Sequence, residues 1–208
     1  MRRLLLLLSL IAPLGCHAGD APFDFYALTL SWSPEHCANR PQAQQCDRGY
    51  GFVLHGLWPQ FERGYPADCG NERWDPAMAR RFPDLYPSPH LYHHEWRKHG
   101  TCSGLSQLAY HKLADTLRRR LVLPEPYQSP PQPLRRSPDQ LRTELLAANP
   151  WLLPESITLS CSVGGRFLKE LYLCLTPDGA HPRACSIEMR QREQRLCAQG
   201  SFLMRSVR

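Results

Sequence analysis

Nowhere in the chain do two cysteines stand at C-x-x-C spacing, the arrangement common to structural zinc sites and redox dithiols. The sequence also lacks the ~20 consecutive apolar residues that a membrane-spanning helix needs. Its longest apolar run, Leu4 to Gly15, has 12 residues. It has no basic tail and no clear internal repeat, so nothing supports a polycationic arm or a repeat array. What remains is a chain of 208 residues, enough for one domain with a real core and barely enough for two.

The apolar run has a different use. Met1-Arg2-Arg3 carries positive charge ahead of it, and "CHAGD" supplies small residues behind it at Cys16 and Ala18. That is the layout of a secretory leader spanning residues 1–18, cleaved after Ala18, with the mature domain running over residues 19–208. An acylated Cys16 is the competing reading, which Pro13 fits poorly. Cleavage removes one of nine cysteines and leaves Cys37, Cys46, Cys69, Cys102, Cys161, Cys174, Cys185 and Cys197. An even number in an exported protein points to disulfides and an oxidising compartment, periplasmic or extracellular. Eight cysteines allow about a hundred pairings, so the count does not fix the connectivity. Without Arg2 and Arg3, 23 basic residues face 19 acidic ones, a net charge of +4 with histidine neutral. Such a balance permits an anionic partner without demanding one.

"FDFYALTLSW" (Phe23 to Trp32) reads as a central strand, and "YGFVLHGLW" (Tyr50 to Trp58) as a second buried strand running into His55. Residues 59–90 are rich in proline and glycine and read as surface loops with short helices. Leu105 to Arg120 is expected to be an amphipathic helix with Tyr110, Leu113, Ala114, Leu117 and Leu121 along one side. "LPEPYQSPPQPLRRSP" holds six prolines and is expected to be a surface loop. Ser137-Pro138-Asp139-Gln140 then opens a helix as cap, first-turn proline and capping-box partner, closed by Asn149-Pro150. "SITLSC" and "RFLKELYLCL" read as two further strands. Buried strands with segregated helices predict a single α+β domain. The proline-rich stretch could instead link two domains, but the parts on either side are small and both carry cysteines.

"YHHEWRKHGTC", Tyr92 to Cys102, crowds histidines, a glutamate and cations together. If residues 93–99 are helical and end at Gly100, His94 and Lys98 lie four apart, as do Glu95 and His99. The four would then share one surface spot, with Trp96 and Arg97 pointing elsewhere. "HEWRKH" departs from the H-E-x-x-H helix of metalloproteases, because Lys98 stands four after His94 and His99 falls one position late. That spacing disfavours zinc. A solvated polar helix face is the bland alternative. "LHGLWPQ" supplies a second histidine, His55, followed like His99 by glycine. A lone buried histidine is more often a hydrogen-bonded core residue than a catalyst; two such motifs in one disulfide-rich exported chain shift that balance.

"GFVLHGLWPQ" and "HHEWRKHGTC" together resemble the two signature segments of the ribonuclease T2 family, in that order and about forty residues apart. "LTLSWSPEHC" resembles that family's N-terminal strand, and the likeness extends through "LKELYLCL" towards the C-terminus, closest to the bacterial periplasmic members. The resemblance implies an α+β fold with an antiparallel central sheet and flanking helices. It implies His55 and His99 as acid and base, Glu95 and Lys98 as stabilisers of the charged transition state, and His94 at the phosphate. It also implies disulfides Cys69–Cys102, Cys161–Cys197 and Cys174–Cys185, leaving Cys37 with Cys46. Two departures bear on base preference. Gln60 follows Trp58-Pro59 where many fungal members have aspartate, and Leu91-Tyr92 replaces a common aromatic pair.

The chemistry suits those residues. RNA carries its own nucleophile, the 2′-hydroxyl, so one base and one acid suffice to form a 2′,3′-cyclic phosphate, later opened to a 3′-phosphate. Histidine serves either role because its unperturbed pKa is ~6.5. The family's usual assignment makes His99 the base and His55 the acid, with Lys98 and His94 facing the phosphorane oxygens. Glu95 is harder to place, since a carboxylate repels phosphate unless it is protonated or paired. Trp58 is a candidate base-stacking residue, with strand-end packing as its plain alternative. Tyr65 is a second stacking candidate, and Gln60 sits at the position tied to base preference. The expected partner is single-stranded RNA, with no cleavage of DNA, no membrane association, no metal or other cofactor, and a monomeric state. A catalytically silent RNA-binding or interaction module on the same fold is the competing class.

Overall fold

The computed structural model describes residues 22–208; the expected leader lies outside them. Four antiparallel strands form the main sheet: β1 (Phe25–Trp32), β2 (Phe52–Gln60), β4 (Ile157–Cys161) and β5 (Leu168–Leu175), in the order β2-β1-β5-β4. β1 is interior, as its nearly unbroken apolar run requires. A short pair, β3 (Leu134–Arg136) with β6 (Phe202–Met204), forms a second sheet, with Leu203 bridged to Phe167 just before β5. Helices α1 (Ser33–Asn39), α2 (Ala77–Arg81), α3 (Pro89–Lys98), α4 (Gln107–Arg120), α5 (Pro138–Ala148) and α6 (Ile187–Leu196) surround the strands.

Strand alternation divides the sheet into two faces. Tyr26, Leu28, Leu30 and Trp32 of β1 join Leu171 and Leu173 of β5 in the main core. Trp96, Tyr110, Leu117, Leu141 and Leu145 from α3, α4 and α5 pack into that same core. The opposite face is thinner. There Phe25, Ala27, Tyr172 and the Cys174–Cys185 disulfide form a small cluster, with Trp58 and Met189 against it. This second face carries the site.

Several expectations need correction. β2 does not end at His55 or Trp58 but continues to Gln60. It is an edge strand, where the missing N–H of Pro59 breaks no ladder. The proline-rich stretch is not all surface loop: Tyr127 is fully buried, its hydroxyl bonded to Glu144, and β3 is paired with β6. The helix expected over residues 93–99 starts earlier, at Pro89, and stops at Lys98, with His99 already outside helical geometry. α1 and α6 were not anticipated, because both are short and polar. The α5 expectation holds in detail, with the reciprocal Ser137–Gln140 capping box formed. Disulfides join Cys37–Cys46, Cys69–Cys102, Cys161–Cys197 and Cys174–Cys185, the pairs implied by the resemblance. Among the described residues no helix is long and apolar enough to cross a membrane.

Candidate active site

His55 owes its position to a β-bulge. In the β1–β2 ladder Thr29 pairs with Gly56 and Leu30 with Leu54, so His55 is the extra residue on β2. A bulge bends the strand and re-aims the unpaired side chain. Here the imidazole meets β5, and Nδ1 lies 2.8 Å from Glu170 Oε1. The Tyr172 hydroxyl donates to the other oxygen of Glu170. The glycine after His55 has a steric reason. A Cβ at Gly56 would overlap both the Glu95 carboxylate and the Trp58 indole nitrogen. Those two groups meet beneath it, Trp58 Nε1 donating to Glu95 Oε2 at 2.7 Å.

α3 delivers the second set of groups. Its Glu95 is completely buried and His99 is 4% exposed, so the four polar residues do not form the surface patch expected of them. Trp96 is buried on the other side, and a Cβ at Gly100 would overlap its ring. That close approach lets the chain leave α3 in a 3₁₀ turn, Gly100–Cys102, fixed by Cys69. His99 stacks on Trp58 with ring centres 5.1 Å apart, while Trp58 meets His55 edge-on at 4.9 Å. One indole thus separates the two imidazoles and anchors the carboxyl.

The two histidines have opposite proton affinities. Burial pushes His55 down, but the Glu170 hydrogen bond and the Glu95 charge outweigh it and leave its pKa raised. Burial, with Lys98, His94 and His55 adding positive charge, lowers His99 to about 3. Burial raises Glu95 to about 7, against the opposing pull of His55, the Trp58 hydrogen bond and Lys98. Its Oε1 is buried and, among the described residues, has no hydrogen-bond partner. Burial, Lys98, His90 and His55 lower His94. His55, His94, Glu95, Lys98 and His99 all line one cleft of about 320 Å³, at the small end of the range for ligand pockets. Trp58, Gln60 and Tyr65 line it too. The Lys98 ammonium stands 5.9 Å from the Tyr65 ring centre, and Tyr65 is half exposed.

The family model of the ribonuclease T2 family matches residues 23–185. The chain belongs to the ribonuclease T2 family. With that membership it is a ribonuclease. A ribonuclease of Aeromonas hydrophila is 44% identical over 229 residues, covering 100% of both chains. The extracellular ribonuclease LE of Solanum lycopersicum is 28% identical over 194 residues, 79% of this chain and 81% of that one. A mutant of RNase MC1, a ribonuclease of bitter gourd seeds, in complex with 5′-GMP shares the fold with a TM-score of 0.67. That likeness is at 22% identity and covers 86% of this chain and 99% of that one.

Within this family member, the first signature supplies His55, Gly56, Trp58 and Gln60 from one edge strand, and the second supplies His94, Glu95, Lys98 and His99 from α3 and its end. Sequence reasoning missed Glu170 and Tyr172, the partners that hold His55. Their signal was a carboxylate and a tyrosine two apart, on one face of a strand that is apolar apart from them and Lys169. It also missed α6, which follows the family-matched residues and adds Glu188, Met189 and Arg192 to the cleft wall. Glu188 accepts from the Gly64 N–H at 2.9 Å and so tethers the loop carrying Tyr65.

Proposed function

We propose that this protein is an exported, metal-independent endoribonuclease that cleaves single-stranded RNA by transesterification. The observation carrying this reading is the placement of two imidazoles against one indole in a single cleft, His55 bonded to the Glu170 carboxylate and His99 buried, which biases His55 towards the charged form and His99 towards the neutral one. His99 takes the proton from the 2′-hydroxyl, the 2′-oxygen attacks phosphorus, and the bond from phosphorus to the 5′-oxygen breaks. His55 donates its proton to that departing oxygen, leaving a 2′,3′-cyclic phosphate. Each proton transfer contributes roughly 10²–10⁴-fold. Water then opens the ring by the reverse roles to give a 3′-phosphate.

Lys98 faces the phosphorane oxygens, where fixed positive charge acts most strongly, and His94, its pKa lowered, offers them a hydrogen bond from the neutral imidazole. Glu95, with a pKa of about 7, can be neutral there, which removes the repulsion between a carboxylate and phosphate. Tyr65 offers an exposed ring face for a base and Gln60 a hydrogen-bonding edge, while Trp58 contributes stacking and holds the two histidines apart. A neighbour of the same fold binds 5′-GMP, which supports a nucleotide in the cleft. The four disulfides support export through a leader at residues 1–18. The test is an NMR titration of the two imidazoles in the free enzyme. His55 should titrate above a free histidine and His99 below it; the reverse order would overturn the assignment.

A further inference from the structure

Beside the catalytic cleft runs a second groove of about 740 Å³. His55, His94 and Glu170 line both, so the two are continuous. Away from that junction the groove is walled by α1, by the loop following it and by the β4–β5 hairpin, which contribute His36, Arg40, Ser162 and Lys169.

Its charge is one-sided. The carboxylates on its wall are Glu35 and Glu170, and both are engaged. Glu35 receives Arg205 Nε at 2.6 Å and the Asn39 amide at 3.1 Å. Glu170 is held by His55 and Tyr172. Arg40 and Lys169 are exposed and, among the described residues, take part in no ion pair. Lys169 is a bulge residue, as His55 is. Ser160 pairs with Glu170 and Cys161 with Leu168, leaving Lys169 unpaired between them and turned outward. Arg40 sits inside the short loop that the Cys37–Cys46 disulfide closes. His36 lies between these cations; burial first, then Arg40, His55 and Lys169, push it towards the neutral form. Two exposed cations that form no ion pair among the described residues, on a channel that opens at the acid of the reaction, fit a ligand with repeated negative charge.

We propose that this groove binds the RNA strand on the 3′ side of the scissile bond through its phosphates, with Arg40 and Lys169 as the contacts. The direction rests on the acid–base reading above. His55 protonates the departing 5′-oxygen, so the nucleotides beyond that oxygen must lie past His55, where the groove opens. The nucleotide on the other side of the bond stays in the cleft with Trp58, Gln60 and Tyr65. The enzyme thereby holds a polymer rather than a dinucleotide, by contacts that are blind to base sequence.

The test compares wild type with the Arg40→Ala/Lys169→Ala double variant on four substrates. They are a nucleoside 2′,3′-cyclic phosphate, a dinucleoside monophosphate, and two oligomers that are 2′-O-methylated except at one cleavable position. One oligomer extends only to the 3′ side of the cut and the other only to the 5′ side. The variant should match wild type on the cyclic phosphate, the dinucleotide and the 5′-extended oligomer. On the 3′-extended oligomer kcat/KM should fall on the order of tenfold at ~0.1 M salt, and its log–log salt slope should flatten by about 1.4, roughly 0.7 per lost phosphate contact. Equal kcat/KM and equal slopes on the 3′-extended oligomer would overturn the proposal. Equal losses on all four substrates, or on both oligomers, would do so too. A wild-type protein inert towards both the cyclic phosphate and the dinucleotide would instead sink the acid–base reading, whatever the variant does.

Discussion

His55 does its chemistry in company that no local motif announces. Glu170, 115 positions away in sequence, accepts its Nδ1–H and is in turn held by Tyr172. Replacing Glu170 with glutamine keeps the shape but removes the charge that favours the imidazolium. His55 must be protonated to act as acid, so activity is lost as pH rises through its pKa. Glu170→Gln should therefore move the alkaline limb of the kcat/KM profile to lower pH and leave the acid limb, set by His99, in place. An unmoved alkaline limb would remove Glu170 from the account. Gly56 tests the neighbouring contact. A Cβ there overlaps Glu95 and Trp58, so Gly56→Ala should destabilise the fold by ~1–3 kcal/mol, as overpacking does. The shift would be read from the denaturant midpoint, and wild-type stability with wild-type turnover would show that the close approach is unimportant.

At the scale of elements, α3 matters most through its end. The chain leaves the helix at His99, turns through Gly100–Cys102 and is fixed to Cys69. Reducing a disulfide in a small exported domain removes about 2–5 kcal/mol. A Cys69→Ala/Cys102→Ala variant should accordingly lose stability in that range and lose activity more steeply than it unfolds, because His99 is released with the turn. Wild-type kcat in that variant would show that the bridge does not set the catalytic geometry. How much of this was legible in the sequence depended on the distance between partners. The grouping of His94, Glu95, Lys98 and His99 was legible because short spacings place them near one another on α3 and at its end, and their roles because the segment resembles the family's second signature. Ser137-Pro138 and Gln140 announced α5 for the same local reason. The bulge at His55 was not legible, since an extra residue shows only against the register of β1. Burial of Glu95 was equally hidden, because it depends on Trp58 arriving from another strand. α6 has too few apolar residues to show a periodic face, yet it forms one wall of the cleft.

For the whole molecule, buried imidazoles set the response to acid. His99 titrates at about 3 and the fully buried His111 is also lowered, chiefly by burial. A histidine depressed in the folded state contributes stability above its unfolded pKa of ~6.5, and that contribution is lost as pH falls towards the folded value. Glu95 acts in the opposite sense: raised to about 7, it contributes most below its unfolded value and loses that contribution as pH rises. With two buried imidazoles against one carboxyl, the urea midpoint should fall between pH ~6.5 and ~4. A midpoint that climbs steadily over that range would contradict this balance. The central claim is that the substrate's own 2′-hydroxyl is the nucleophile and that two histidines move the protons. It is tested most directly by product analysis in excess EDTA, on matched RNA, DNA and fully 2′-O-methylated RNA strands. The expected result is cleavage of RNA alone, with 2′,3′-cyclic ends accumulating first and 3′-phosphates following more slowly. Products with 5′-phosphate ends, or any cutting of the 2′-O-methylated strand, would contradict it.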